Sequence, residues 1–189
     1  MDGLLSSLVV VGLASIGDRI QLLAVLLMAR WGRAGPVIAG LLLATLLAQG
    51  LSAFGGYLVA GELPPRPVTL LLALGFLSIG LWSFLPERLP KDADAASRLG
   101  PFLASAAAVF AVEFGDRTQL ATVAMAARFG AWPAVAIGAT LGIAAATIPC
   151  ILFGRAFLDR LPAKGLRIAA AALFILLGLW CVLDAFRLI

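Results

Sequence analysis

Histidine is absent from this sequence, cysteine occurs twice, tyrosine once, and charged residues fill only 13% of its 189 positions. Without histidine, and with Cys150 and Cys181 in no C-x-x-C pair, the chain lacks the imidazole and clustered thiolate ligands that Zn²⁺ and Cu⁺ prefer. The two cysteines read instead as small buried hydrophobes. There is no nucleophile and base arrangement and no glycine-rich phosphate loop, which argues against an enzyme. The scarcity of charge, set against 62% hydrophobic residues and a mean hydropathy of +1.08, excludes an ordinary soluble domain. The composition is that of an all-α integral membrane protein.

Apolar runs of about twenty residues, the length that crosses a hydrocarbon core of roughly 30 Å, lie at 4–29, 36–60, 67–85, 101–127, 133–154 and 166–186. Six transmembrane helices are predicted, and the short segments between them leave no room for a soluble domain. The first run is read as a true span: "MDGLLSS" has no basic n-region and no A-x-A-like site closes the run. With the N-terminus outside, the inner loops hold Arg30, Arg33, Arg88, Lys91, Arg98, Arg155, Arg160, Lys164 and Arg167, and the outer ends hold only Arg66, Arg128 and Arg187. The positive-inside bias therefore favours an N-out, C-out topology. It also accounts for the net charge of +4 and the pI of 9.8 without a nucleic-acid partner.

"ASIGDRIQL" at 14–22 returns as "VEFGDRTQL" at 112–120, and the same shift of 98 aligns "ARWG" with "ARFG", Gly40 with Gly138, Gly56 with Gly154, and "GLW" at 80–82 with "GLW" at 178–180. The chain thus divides into a first three-helix repeat at 1–85, a cytoplasmic linker at 86–100, and a second three-helix repeat at 101–189. Three crossings per repeat make the second enter from the opposite side. Two inverted three-helix repeats are a common plan of secondary transporters, which bind cargo near the midplane where the repeats meet.

Asp18 and Asp116 each fall about 15 residues into a predicted span, so at 1.5 Å per residue both lie near mid-bilayer. With Arg19, Glu113 and Arg117 they make five deep charges, and at about 2.5–3.5 kcal/mol apiece they must pair, bind something or line water. In a continuous helix Glu113, Asp116 and Gln119 form one stripe at i, i+3, i+6, and Ser15, Asp18 and Gln21 form its counterpart. Facing each other, the stripes offer three carboxylates, two amide carbonyls and the hydroxyls of Ser15 and Thr118, an all-oxygen set suited to Mg²⁺, Ca²⁺ or Mn²⁺. Gly17 and Gly115 admit close approach of a neighbouring helix or a hydrated ion, with local unwinding to free carbonyls. Arg19 and Arg117 are read as structural or gating partners, Arg117 spaced i, i+4 from Glu113 for an ion pair. Three acids against two arginines leave one carboxylate for a cation or a proton.

At these residues the sequence resembles the manganese/calcium:proton exchanger family of the Golgi transmembrane protein 165 and its thylakoid and bacterial relatives, whose signature is a doubled E-x-G-D-[KR]-[TS]. Glu113-Phe114-Gly115-Asp116-Arg117-Thr118 fits at every defined position, whereas Ser15 and Ile20 depart from the first copy. The resemblance covers essentially the whole chain. It implies exchange of Mn²⁺, with Ca²⁺ the second candidate, for protons in the export direction, with Asp18, Glu113 and Asp116 as principal ligands and Gln21, Gln119 and Thr118 in support; Ser15 is a candidate from the stripe alone. It implies no cofactor beyond the transported ion, and its partners are a divalent ion, the proton and the lipid bilayer; a homo-oligomer is left open. Six spans and no targeting segment suit a bacterial inner membrane. Two other readings stand beside it: lysine-exporter-like efflux of a small organic cation, and a non-transporting membrane subunit whose motifs clamp helices together.

Overall fold

The structure is a computed structural model, and it describes residues 1–84, 99–154 and 163–186. The predicted linker at 86–100 lies outside the described residues except for its last two positions, as do Arg88, Lys91, Arg98, Arg155, Arg160 and Arg187. Among the described residues the chain is all helical, with eight helices: α1 Asp2–Ala14, α2 Arg19–Trp31, α3 Ala34–Gly61, α4 Pro65–Trp82, α5 Gly100–Glu113, α6 Arg117–Phe129, α7 Trp132–Phe153 and α8 Ala163–Ala185. The sequence repeat is carried into local structure. A shift of 98 turns the bounds of α2 into those of α6 and starts α5, α7 and α8 where α1, α3 and α4 would place them.

Two of the predicted spans need correction. The runs at 4–29 and 101–127 are each broken at the charged motif, and α1 and α2 meet at a bend of 75°. The break has a local cause. Gly17 and Gly115 take φ of +73° and +76°, a left-handed conformation that ends a right-handed helix and that glycine adopts without a Cβ penalty. The aspartate that follows then restarts the chain as an N-cap: Asp18 Oδ1 accepts from Arg19 N at 2.7 Å, and Asp116 Oδ2 from Thr118 N at 3.3 Å. Gly115 therefore serves the turn and not close approach, since a Cβ there would meet nothing within 4 Å.

Three helical stretches are long and apolar enough to cross a membrane, Ala34–Gly61, Trp132–Phe153 and Ile168–Ala185, and the bent pair α1 and α2 makes a fourth when taken as one path. The apolar parts of α4 and α5, Arg66–Trp82 and Gly100–Glu113, are shorter than a full crossing. The predicted run at 67–85 accordingly ends in a helix that stops at Trp82.

Packing crosses between the halves. α1 lies on α7 and α5 on α3, while α4 pairs with α8, where Phe76 and Phe174 approach to 6.0 Å between ring centroids. The α1–α7 contact is backbone-close because Gly12 faces Gly142: a Cβ on Gly12 would stand 3.3 Å from Gly142 Cα. Val11, Ile20, Leu23, Leu41, Met125 and Ile143 fill the interior, whereas Leu51, Leu74, Leu81, Leu176 and Trp180 face outward. An apolar exterior around an interior that holds the charged residues is the distribution a bilayer imposes.

Candidate cation site

The two helix breaks face one another, and their charges pair across the halves. Arg19 Nη2 reaches Asp116 Oδ1 at 2.8 Å, and the repeat-related Arg117 Nη2 lies 3.7 Å from Asp18 Oδ1. The two pairs differ in access: the Arg19 side chain is 29% exposed, the Arg117 side chain 1%. Arg117 also donates to Ser83 Oγ at 3.4 Å. The i, i+4 ion pair expected between Glu113 and Arg117 does not form, because the break removes the helical turn that would have joined them.

The predicted stripes dissolve for the same reason. Gln21 and Gln119 fold back to accept from the backbone N–H of Gly17 (3.0 Å) and Gly115 (2.8 Å), bracing the two turns, and Gln21 Nε2 also donates to Ala146 O at 3.0 Å. Ser15 Oγ donates to Gly12 O within its own helix at 2.8 Å. Thr118, by contrast, turns to a motif carboxylate, donating through Oγ1 to Asp116 Oδ2 at 3.1 Å.

Glu113, the last residue of α5, is fully buried, and its surroundings are polar. Gln49, from the middle of α3, donates through Nε2 to Glu113 Oε1 at 2.7 Å and stands 3.4 Å from Thr118 Oγ1, while its own Oε1 accepts from Thr122. Glu113 Oε2 has no hydrogen-bond partner, and the buried Thr45 hydroxyl lies beside the carboxylate without completing a hydrogen bond. Among the described residues no lysine or arginine pairs with Glu113. A hydrogen-bonded line thus runs from Asp116 through Thr118 and Gln49 to Glu113, ending on a buried oxygen free to ligate.

Of the expected ligands, then, Glu113, Asp116 and Thr118 are brought together, Asp18 is turned toward Arg117, and Ser15, Gln21 and Gln119 are engaged with backbone. Among the described residues no three acidic, cysteine or histidine side chains converge closely enough to hold a metal ion. The oxygen donors around Glu113 are of the hard type that suits a divalent ion such as Mn²⁺. Gln49, Thr45 and Thr122 were not singled out from the sequence. Their signal was a polar pair at i, i+4 within the apolar "LLLATLLAQGLSAF", and a second threonine one turn beyond the motif.

Helices broken at buried carboxylates, inside a bundle whose outer surface is apolar among the described residues, are a plan that helical membrane transporters use. The chain belongs to the family described as Divalent cation/proton antiporter GDT1, which matches it over residues 3–91 and 101–188, nearly its whole length. A Vibrio cholerae protein named "Putative manganese exporter" is 38% identical over 182 residues, covering 95% of this chain and 90% of that one. A GDT1-like protein of Synechocystis is 36% identical over 77 residues, or 41% of this chain and 37% of its own length. No solved structure matches the chain significantly.

Proposed function

We propose that the protein exports a divalent cation, Mn²⁺ ahead of Ca²⁺, across a bacterial inner membrane in exchange for protons, with Glu113 and Asp116 as the exchanging carboxylates. The observation that carries this reading is Glu113: a fully buried carboxylate, one oxygen unengaged, with no basic partner among the described residues. Isolated charge is expensive in such surroundings, so the group calls for a cation or a proton. Asp116 offers its full charge to a cation there when it parts from Arg19, whose partial exposure gives the guanidinium somewhere to go. In this reading Arg19 holds the place of the cation while the site is empty. A divalent ion between Glu113 and Asp116 is charge-neutral, and so is the empty site with Glu113 protonated and Arg19 returned to Asp116. Metal and proton therefore exclude each other, which is the minimum an antiporter requires.

The arrangement in the membrane that fits this function is six crossings in two inverted repeats, 1–85 and 101–189, joined by a cytoplasmic linker at 86–100, with both termini outside. The helix correspondence at a shift of 98 and the reciprocal pairing of the two motifs support it. The same pairs favour a second reading, in which the motifs only clamp helices. Manganese and calcium flux into proteoliposomes, with and without an imposed pH gradient, separates the two. Exchange predicts gradient-dependent flux that falls to background in Glu113→Gln with little loss of thermal stability; a clamp predicts no flux in the wild type. The printed name of the Vibrio relative supports taking Mn²⁺ ahead of Ca²⁺ in this reading.

A further inference from the structure

The internal repeat supplies a comparison that the chain makes with itself. Four residue pairs related by the shift of 98 keep both identity and contact: Gly17 and Gly115 turn the chain, Gln21 and Gln119 brace those turns, Asp18 and Asp116 cap the helices that follow, and Arg19 and Arg117 pair with the opposite aspartate. Two copies that fold alike must keep these, because they build the breaks.

The residues around Glu113 follow a different rule. Glu113, Thr118, Thr122, Gln49 and Thr45 correspond at that shift to Ser15, Ile20, Ala24, Thr147 and Ile143. The counterpart of the polar cage is thus three buried apolar side chains, a serine bonded to its own helix, and the buried Thr147, whose hydroxyl has no hydrogen-bond partner. The carboxylate and the amide that touches it are both missing from the repeat-related cage. The frame is duplicated; the ligand set is not.

We propose that each chain binds one divalent cation, in the Glu113 cage alone, and that Gln49 is one of its ligands. This deepens the exchange reading and rests on it. In the structure the Gln49 amide presents Nε2 to Glu113 while Thr122 holds its Oε1. Turning that amide over exchanges a donor for an acceptor of nearly the same shape, so the Oε1 that Thr122 held becomes a ligand facing the same point as Glu113. Amide and carboxylate oxygens together, with the Thr45 and Thr118 hydroxyls at hand, form a hard-oxygen site without a third carboxylate. Gln49 would then read the state of the site: donor to the empty carboxylate, ligand to the filled one. Its repeat counterpart, Thr147, has no carboxylate to serve and does neither.

The test is Mn²⁺ binding to the purified full-length protein in detergent, measured by equilibrium dialysis and by the manganese spin-resonance signal. The wild type is expected to take one Mn²⁺ per chain. Gln49→Leu is expected to weaken binding by about 10–100-fold, the range seen when groups supporting a metal site are removed. Gln49→Glu restores it by returning an oxygen, and Thr147→Val and Ser15→Ala leave it unchanged. Two ions per chain, or Gln49→Leu binding as tightly as wild type, or Thr147→Val weakening it as much as Gln49→Leu, overturns the single-cage proposal while leaving cation exchange standing. Wild-type protein that binds no divalent ion but melts cooperatively overturns the exchange reading, and this one with it.

Discussion

Three carboxylates and two arginines share the interior of the bundle, and their pairing assigns each a different burden. Asp18 and Asp116 both cap a helix and both answer an arginine, but the Asp18 pair is sealed while Arg19 in the other pair touches the outside. Removing one partner of a sealed pair leaves the other charge in low dielectric, at a cost of about 3–5 kcal/mol; where the remaining charge can reach solvent the loss is nearer ~1 kcal/mol. Asparagine caps a helix about as well as aspartate, so the caps cancel from the comparison. Asp18→Asn is therefore expected to lower thermal stability in detergent clearly more than Asp116→Asn. Equal losses would mean that the burial difference between Arg19 and Arg117 is not what governs the pairs.

At the scale of the element, the helix breaks are the feature that the sequence concealed. "ASIGDRIQL" and "VEFGDRTQL" sit inside long apolar runs, and hydropathy taken over about twenty residues passes straight across them. The local signal was present all the same, since glycine followed by aspartate is a helix stop followed by a helix start. Reading the acids as a continuous i, i+3 stripe mistook a cap for a helix interior, which is why Gln21, Gln119 and Ser15 were expected to face a cation and instead bond to backbone. Helical class, the repeat and the buried charges were legible because composition and spacing carry them. Gln49 and Thr45 were not: a polar pair one turn apart in an apolar helix acquires meaning only when α3 is laid against α5 and α6. The cap reading makes its own prediction at Gly115. Because a Cβ there meets no neighbour, a substitution should cost only backbone strain, about 1–2 kcal/mol for alanine at positive φ. Asparagine tolerates that conformation better. Thermal melts should rank the wild type above Gly115→Asn, and Gly115→Asn above Gly115→Ala; the asparagine variant falling below the alanine variant would point to crowding instead.

For the molecule as a whole, equivalent contacts occur in unequal surroundings: one arginine pair partly open, the other closed, and one cage polar, the other apolar. Two halves that pair reciprocally yet differ in access are what alternating exposure of a central site needs, provided that the halves run in opposite directions through the bilayer. That proviso can be examined at the two turns that precede the long helices. Gly35, at the start of α3, is exposed, and a Cβ there meets nothing within 4 Å; Ala131, just before α7, is exposed at the related turn of the second half. Basic residues cluster at the first of these turns, Arg30 and Arg33, against Arg128 alone at the second. With Cys150 and Cys181 replaced by serine, Gly35→Cys is expected to react with a membrane-impermeant maleimide only from the cytoplasmic face, and Ala131→Cys only from the outer face. Labelling of both from one side would mean that the repeats are parallel, and the two arginine pairs could not then exchange roles by an inversion of the bundle.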